Sequence, residues 1–285
     1  MRKSKRRSGP GFFGRVLIFL CVAAAFAALW AGAELVAKRL NGASQQDASG
    51  GTETAAGLPK NSYDLTCFSS QDGFIRYTGA QASQTGVDVS AHQGDIDWAA
   101  VAAKGVTYAM IRVGYRGYTD GTISLDEKFQ SNVKNALANG LKVGVYFFSQ
   151  AITTDEAAEE AKTALGAIKG LDVTYPVVFD WESIEGGGRT DSVDQTTLTK
   201  CAETFCGAVK AAGYTPGVYF NQNIGYQEYD LPALQDYVFW LAQYADAPDF
   251  YYDFQMWQYS KSGKVDGIDG DVDLNLSFWQ PAAAK

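Results

Sequence analysis

The sequence predicts an α/β fold for its larger part, an irregular β/α barrel of the TIM-like kind. Beyond about residue 63, short apolar segments rich in Val, Phe and Tyr alternate with helical patterns, and such alternation is typical of a parallel sheet. About eight of these segments are present, which is the number of strands that closes a β/α barrel. Because the last three segments have little helix between them, we expect the barrel to be irregular.

Residues 1–40 predict a transmembrane or signal segment in front of that barrel. Five Lys and Arg residues within the first seven precede an apolar stretch over 16–33, which is about long enough to cross a bilayer. Ala31-Gly32-Ala33 fits the rule for signal-peptide cleavage, but the apolar stretch is longer than a usual signal peptide. We therefore expect an uncleaved membrane anchor that places the protein in the cell envelope, at the outer face of the cytoplasmic membrane. Secretion after cleavage behind Ala33 is the alternative.

Residues 41–62 predict a flexible linker, since they are rich in Gly, Ala, Ser, Thr and Gln. Residues 63–285 remain as the barrel domain. Residues 1–62 hold nine of the 24 basic and three of the 32 acidic residues, so the domain carries 15 basic and 29 acidic residues, a net charge of −14. Because the domain is so acidic, we expect it not to bind nucleic acid. Separately, we expect the protein to be a monomer.

The cysteines and the single histidine form no pattern that is typical of zinc binding. Cys201 and Cys206 lie five apart in a predicted helix, which places their Cα atoms about 9 Å apart, too far for a disulfide. Cys67 could pair with either of them, whereas Cys21 lies in the apolar stretch. Gly186-Gly187-Gly188 lacks the strand–helix context of a phosphate-binding loop. No metal and no cofactor is predicted.

Eight short segments rich in β-forming residues are predicted as the barrel strands: 86–90, 106–113, 142–148, 176–182, 216–221, 238–244, 254–260 and 272–275. Three helices between them have the capping-box form at their start, at Ser124, Thr153 and Ser192. Asn139-Gly140 and Ala212-Gly213 mark helix ends, because glycine favours the left-handed conformation that follows a last helical turn.

Carboxylates at the ends of three predicted strands are the candidate catalytic residues: Asp88, Asp180, Glu182 and Asp273. In a β/α barrel the active site forms at these carboxyl ends. Asp180 and Glu182 lie two apart on a strand, so they face the same side with Cα atoms about 6.6 Å apart. Glycoside hydrolysis uses such a pair of carboxylates. For this spacing alone, two solvated acids at a strand end are the simpler interpretation.

Five further residues near these strand ends are predicted to bind substrate, because carbohydrate sites combine flat aromatic faces with hydrogen-bonding groups. They are Tyr146, Asn221, Tyr244, Trp257 and Gln258. Packing inside the barrel is the alternative for the aromatic ones. His92 could act as a base, but it precedes a helix start at Asp97, so we favour a structural role or a place on the rim.

Taken together, these motifs resemble glycoside hydrolase family 25, the Chalaropsis-type lysozymes or N-acetylmuramidases. The resemblance runs from Gly86 to about Trp279 and is carried by Gly86-Val87-Asp88-Val89-Ser90, His92-Gln93-Gly94, Ile96-Asp97-Trp98, Tyr146-Phe147-Phe148, Phe179-Asp180-Trp181-Glu182, Trp240-Leu241-Ala242-Gln243-Tyr244, Trp257-Gln258-Tyr259 and Val272-Asp273-Leu274-Asn275. It implies an irregular β/α barrel. It also implies hydrolysis of the β-1,4 bond between N-acetylmuramic acid and N-acetylglucosamine, with the glycan strands of peptidoglycan as the partner.

Carried over by motif, the resemblance implies that Glu182 is the general acid and that Asp180 stabilises the substrate or orients its acetamido group. Asp88 and Asp273 correspond to the flanking acids of the pocket. We expect burial and the charge of Asp180 to raise the pKa of Glu182, and hydrogen-bond donors to keep Asp180 ionised.

The chain departs from the family where the second strand ends. Many members have Lys-x-Ser/Thr-Glu-Gly there, whereas this chain has Arg112-Val113-Gly114-Tyr115-Arg116-Gly117. A carboxylate is lost and Arg116 is gained. The sequence therefore leaves open which peptide or acetyl variants of the substrate the protein tolerates.

Two other functions remain as alternatives. A non-catalytic peptidoglycan-binding module could keep the barrel, but it would have no need for both Asp180 and Glu182. A chitinase is the weaker alternative, because the acidic run D-x-x-D-x-D-x-E of that family is missing from the segment 176–179.

Overall fold

The computed structural model describes residues 57–184 and 186–280, which form eleven strands and five α-helices. The strands are β1 (Phe68–Gln71), β2 (Phe74–Tyr77), β3 (Gln84–Val89), β4 (Tyr108–Arg116), β5 (Ile123–Leu125), β6 (Lys142–Ser149), β7 (Val173–Trp181), β8 (Pro216–Asn221), β9 (Val238–Ala242), β10 (Met256–Gly263) and β11 (Val272–Ser277). The helices are α1 (Trp98–Ala103), α2 (Phe129–Ala138), α3 (Thr154–Ile168), α4 (Gln195–Ala211) and α5 (Gln222–Gln227).

Eight of these strands close a barrel in the order β3-β4-β6-β7-β8-β9-β10-β11, and β11 pairs back to β3. Neighbouring strands from β3 to β10 run parallel. The short strand β5 pairs antiparallel with β4 outside the closed ring. The predicted α/β class and the predicted closed barrel of eight strands are therefore confirmed.

The last barrel strand runs antiparallel to both of its neighbours, which corrects the expectation of a parallel sheet. Only the segment 264–271 joins β10 to β11, and a parallel connection would need a longer crossover. The reversal places the start of β11 beside the carboxyl end of β3. Asp273 and Asp88 are consequently direct partners across these two strands.

The helix boundaries follow the predicted signals in part. Thr153 caps α3 by accepting a backbone hydrogen bond, as predicted. Ser124 instead lies within β5, and α4 is capped by Asp194, two residues later than predicted. The predicted helix ends are confirmed, because Gly140 and Gly213 follow α2 and α4 with φ angles of +80° and +86°.

Large side chains fill the barrel interior beneath the polar end. Tyr108, Met110 and Tyr175 are buried there, and the rings of the two tyrosines stack with centroids 4.5 Å apart. A glycine on the neighbouring strand makes room for this packing, since a Cβ atom at Gly86 would lie 2.3 Å from the Tyr108 ring. The interior is therefore a packed core.

The hairpin of β1 and β2 covers the outside of the barrel beside β10. The ring of Phe68 meets that of Trp257 edge-on, with centroids 5.4 Å apart. The backbone N–H of Ile75 donates to the hydroxyl of Tyr259. The hairpin thus buries an aromatic outer face of β10, a role that helices have elsewhere around the barrel.

The predicted anchor, including the stretch 16–33 and its cleavage site, lies outside the described residues. Across 57–184 and 186–280, every helix falls short of the length and apolar character that spanning a bilayer requires. The chain already packs against the barrel before residue 63, because Leu58 is buried and Lys60 bridges to Tyr252. The domain boundaries at 40 and 62 stay predictions.

The three cysteines within the described ranges are free. Cys67 therefore pairs with neither Cys201 nor Cys206. The latter two are buried on α4, where burial raises the pKa of both thiols. They contribute to packing between α4 and the barrel.

Candidate active site

Polar side chains converge on one cavity at the end of the barrel where the parallel strands have their carboxyl ends. The cavity has a volume of about 300 Å³ and is lined by all four predicted carboxylates, Asp88, Asp180, Glu182 and Asp273. They come from β3, from the end of β7 and from the start of β11. The remaining lining residues are Ser90, His92, Gln93, Arg112, Tyr146, Phe148, Tyr219, Trp240, Tyr244, Gln258 and Lys261.

Two side-chain amides hold the Asp88 carboxylate. Its Oδ2 accepts hydrogen bonds from Asn275 Nδ2 at 2.7 Å and from Gln258 Nε2 at 2.9 Å. The Oδ1 atom of Asn275 accepts from the indole N–H of Trp240 at 2.9 Å. Because an indole can only donate, this bond fixes the amide of Asn275 with its NH₂ group toward Asp88.

Gln258 connects this carboxylate to two tyrosines. Its Oε1 accepts from the hydroxyls of Tyr219 at 2.9 Å and Tyr244 at 3.1 Å. Its Nε2 also reaches Asp273 Oδ2 at 3.3 Å. Gln258, predicted to bind substrate, therefore lies within the cavity and sets the positions of two acids.

Asp88 and Asp273 are neighbouring acids across the paired strands β3 and β11. Burial, followed by the charge of Asp88 and a hydrogen bond to it, raises the pKa of Asp273 to about 8. Burial also raises the pKa of Asp88, although the amides of Gln258 and Asn275 act in the opposite direction. The two N–H donors at 2.7 and 2.9 Å therefore favour the charged form of Asp88 over that of Asp273.

The two acids of the predicted catalytic pair differ in depth. Burial and then the charge of Asp273 raise the pKa of Glu182, which is the predicted direction, although the charge comes from Asp273 rather than from Asp180. Asp180 is only 4% exposed, and burial raises its pKa well above the usual range despite the neighbouring Arg112 guanidinium. Its Oδ1 is buried without a hydrogen-bond partner among the described residues. The expectation that donors of the protein keep Asp180 ionised is therefore wrong.

A buried glutamine fixes the backbone of Glu182, which follows directly after β7. Gln150 Nε2 donates to the carbonyl of Glu182 at 2.8 Å, and Gln150 Oε1 accepts from the hydroxyl of Thr190 at 3.2 Å. The guanidinium of Arg189 donates to the Gln150 carbonyl at 2.9 Å and pairs with Glu156. The position of Glu182 thus depends on side chains that lie outside the cavity.

Aromatic side chains form the remaining walls. Tyr146 and Tyr244, which were predicted to bind substrate, both line the cavity. The ring of Tyr146 meets that of Trp240 edge-on, with centroids 6.0 Å apart. Tyr244 is 52% exposed at the opening, so its ring offers a flat surface to a bound sugar.

Two predicted binding residues lie elsewhere, which corrects the predicted set. Trp257 is fully buried on the outer face of β10, and its indole N–H donates to the carbonyl of Gln243. Asn221 caps α5 by accepting from the backbone N–H of Ile224. Neither side chain lines the cavity.

Sequence reasoning missed several polar residues of the cavity, among them Arg112, Tyr219 and Lys261. Arg112 follows the inward-facing Met110 by two residues on β4, so strand alternation could have revealed it. Arg116, which the sequence departure singled out, instead lies outside the cavity and is buried against Glu160 at 2.7 Å. His92 is exposed on the rim, as predicted.

A closed β/α barrel with four carboxylates gathered in its mouth is the arrangement of a glycoside hydrolase. The sequence profile described as glycosyl hydrolases family 25 matches residues 87–268, which is more than half of the 285-residue chain. The chain therefore belongs to glycosyl hydrolases family 25. The predicted resemblance is confirmed.

Comparisons with individual proteins agree with this membership. Lysozyme M1 of Streptomyces globisporus is 29% identical over 202 residues, covering 67% of this chain and 66% of that protein. The autolytic lysozyme of Clostridium acetobutylicum is 30% identical over 195 residues, covering 67% and 54%. This chain thus spans less than two thirds of the length of both curated relatives.

Solved structures share the barrel. The modular autolysin LytC of Streptococcus pneumoniae, in complex with a synthetic peptidoglycan ligand, superposes with a TM-score of 0.63 at 27% identity, covering 73% of this chain and 51% of that one. A family 25 glycosyl hydrolase of Bacillus anthracis has a TM-score of 0.60 at 21% identity, covering 74% and 96%. The second likeness shows the fold alone.

Proposed function

We propose that the protein is a peptidoglycan hydrolase of the muramidase type, which cleaves the β-1,4 bond between N-acetylmuramic acid and N-acetylglucosamine. The observation that carries the proposal is the set of four carboxylates in one cavity of a family 25 barrel. Two relatives are lysozymes, and one structural neighbour was solved with a peptidoglycan ligand. The partner is then the glycan strand of the cell wall, and the place of action is the cell envelope.

In this proposal Glu182 is the general acid. Its pKa is raised by burial and by the charge of Asp273, so the carboxyl group retains a proton in the range where an ordinary glutamate has lost it. Such a group can protonate the departing glycosidic oxygen as the bond to the anomeric carbon breaks. The fixed backbone of Glu182, bound by Gln150 at 2.8 Å, supports delivery of the proton to one position.

Asp180 is assigned to the acetamido group of the muramic acid unit. Asp180 lines the cavity and its buried Oδ1 accepts no hydrogen bond from the described residues, so its carboxylate has the capacity to accept an acetamido N–H of the substrate. That bond would lower the pKa of Asp180, which burial raises in the free protein. It would also direct the acetamido oxygen to the anomeric carbon. That oxygen would bond to the anomeric carbon and close a five-membered ring as the glycosidic bond breaks and Glu182 protonates the departing oxygen. Water would then attack the anomeric carbon and break its bond to the acetamido oxygen, with the Glu182 carboxylate accepting a proton from the water.

The proposed function is tested by Glu182→Gln in the full chain, incubated with purified peptidoglycan. The amide keeps the shape of the side chain but cannot donate the acidic proton, so we expect a loss of about 10²–10⁴-fold in the rate of bond cleavage. Glu203→Gln on α4 is the matched control, since it makes the same change away from the cavity. New reducing ends should be N-acetylmuramic acid.

Three results would contradict the proposal. Near-normal cleavage by correctly folded Glu182→Gln would remove Glu182 as the acid. New reducing ends of N-acetylglucosamine, or cleavage of chitin in place of peptidoglycan, would indicate another glycosidase. Binding to peptidoglycan without any new reducing ends would favour the alternative, a non-catalytic binding module.

A further inference from the structure

A second groove opens beside the carboxylate cavity on the side of β4 and β5. It has a volume of about 360 Å³ and is lined by Ala91, His92, Arg112, Tyr115, Leu125, Asp126 and Glu127. We call it the Arg112 groove. Arg112 and His92 line both spaces, so a molecule bound in the cavity can extend past these two residues into the groove.

The guanidinium of Arg112 is held at the boundary of the two spaces. Its Nε and Nη2 atoms both lie 2.9 Å from Asp126 Oδ2. Asp126 is itself buried and accepts backbone N–H groups from Ala91 and Lys128. The Nη1 atom of Arg112 has no hydrogen-bond partner within residues 57–184 and 186–280. A rigid cation therefore presents open N–H donors, the chemistry that binds a carboxylate or a carbonyl oxygen.

The outer walls of the groove are apolar and exposed. Leu125 is 59% exposed and Tyr115 is 38% exposed. They lie on the paired strands β5 and β4 and both line the groove. One face of the Tyr115 ring is already covered by the Arg112 guanidinium, 5.4 Å from the ring centroid. A leucine and a half-covered ring suit the aliphatic groups of a short peptide better than the flat face of a sugar, and the N–H donors of Arg112 suit its carboxylates.

We propose that the Arg112 groove binds the short anionic peptide that muramic acid carries on its lactyl group. The sugar would lie in the carboxylate cavity, and its substituent would pass Arg112, whose Nη1 donates to a carbonyl or carboxylate oxygen of the substituent. Leu125 and Tyr115 would contact the first residues of the peptide. This inference rests on the proposed muramidase function and assigns the part of the substrate outside the glycan backbone.

The test compares two substrates, peptidoglycan strands that carry their peptides and the same strands after enzymatic removal of the peptides. Leu125 and Tyr115 line the groove and not the cavity, and both side chains are exposed, so folding is preserved in Leu125→Ser and Tyr115→Ser. Tyr118→Ser is the matched control, because Tyr118 is 52% exposed nearby and does not line the groove. We expect each groove variant to lower kcat/KM by about 5- to 10-fold on peptide-bearing strands, mainly through KM. Strands without peptide should change less than 2-fold, and the control should change neither.

Binding gives a readout that does not depend on turnover. A muramyl peptide titrated calorimetrically into the full chain should bind about 5- to 10-fold more weakly to Tyr115→Ser, while N-acetylmuramic acid without peptide should bind both proteins equally. Equal losses on both substrates would overturn the inference, because the groove would then hold a sugar. Unchanged kinetics and binding in both groove variants would overturn it as well. Failure of the unaltered chain to cleave either substrate would instead refute the proposed function.

Discussion

Asn275→Asp tests most directly whether the hydrogen bond from the Asn275 amide stabilises the buried Asp88 carboxylate. It keeps the shape of the side chain and an oxygen that accepts from Trp240, but it replaces the N–H donor of the 2.7 Å bond to Asp88 by a second carboxyl oxygen. Asn275 is fully buried, so water cannot replace the lost donor. The change adds an acid beside Asp88 and removes one of its two hydrogen-bond donors.

The magnitude follows from the bond that is lost. A hydrogen bond to a charged group contributes about 1.5–3 kcal/mol to the free energy of unfolding. For a domain of this size, each kcal/mol shifts the Tm by about 2–4 °C. We therefore expect Asn275→Asp to lower the Tm by about 3–12 °C at pH 8.

The loss should shrink in acid, and the sign can be derived from the shifted pKa values. Burial raises the pKa of Asp88 in the fold above the ordinary 3.8, and an introduced acid beside it is raised in the same way. The folded variant then binds protons more tightly than the unfolded chain, so its free energy of unfolding falls as pH rises. The window opens near the ordinary value of 3.8 and extends upward through the raised pKa values of the acids at this site, where that of Asp273 is raised to about 8. At pH 4 a protonated carboxyl can donate to Asp88 again.

Thermal unfolding followed by circular dichroism at pH 4 and pH 8 measures the effect. Asn275→Ala is the matched variant, because it removes both the donor to Asp88 and the acceptor of Trp240 and cannot regain either in acid. Its loss should persist at both values of pH, relative to the unaltered chain. An Asn275→Asp protein that is equally destabilised at pH 4 and pH 8, or not destabilised at all, would refute this role of the hydrogen bond between Asn275 and Asp88.

Two further predictions concern the chemistry and the buried charges. If Asp180 directs the acetamido group, hydrolysis should retain the anomeric configuration, and de-N-acetylated muramic acid units should be cleaved poorly even where they bind. An inverted anomer in NMR spectra taken early in the reaction would exclude this route. Arg116→Met should lower the free energy of unfolding by about 3–5 kcal/mol, because it leaves the buried Glu160 carboxylate without its partner. Lys104→Met, which breaks the exposed pair with Asp266, should leave the free energy of unfolding nearly unchanged. Urea titration of both variants measures the difference.

The barrel could be predicted because its strands are local features. Each of the eight segments is rich in β-forming residues, and the predicted ranges fall on the eight barrel strands of the structure. The gathering of Asp88, Asp180 and Asp273 at one end then follows from parallel strands. The direction of β11 could not be predicted in the same way. It depends on the length of the segment that joins β10 to β11 and on pairing with β3, which lies far away in the chain.

Side-chain surroundings were less accessible from the sequence. Trp257 and Gln258 are adjacent on a strand and must face opposite sides, so the prediction that both bind substrate was inconsistent with strand geometry. Asn221 is a residue type that caps helices, and the structure uses it in that way. The position of Arg112 depends on the partner Asp126, and the depth of Asp180 depends on the whole barrel. Neither is a local property of the sequence.

The closure of the barrel has a consequence for the timing of synthesis. Asp88 receives its two amide donors from residues 170 and 187 positions later in the chain. At a translation rate of about 5–20 residues per second, roughly 10–40 s pass between the synthesis of Asp88 and that of Asn275. During that interval the nascent chain contains the first acid without the groups that bind it. Until β11 has left the ribosome and paired with β3, the growing polypeptide cannot assemble the carboxylate cluster.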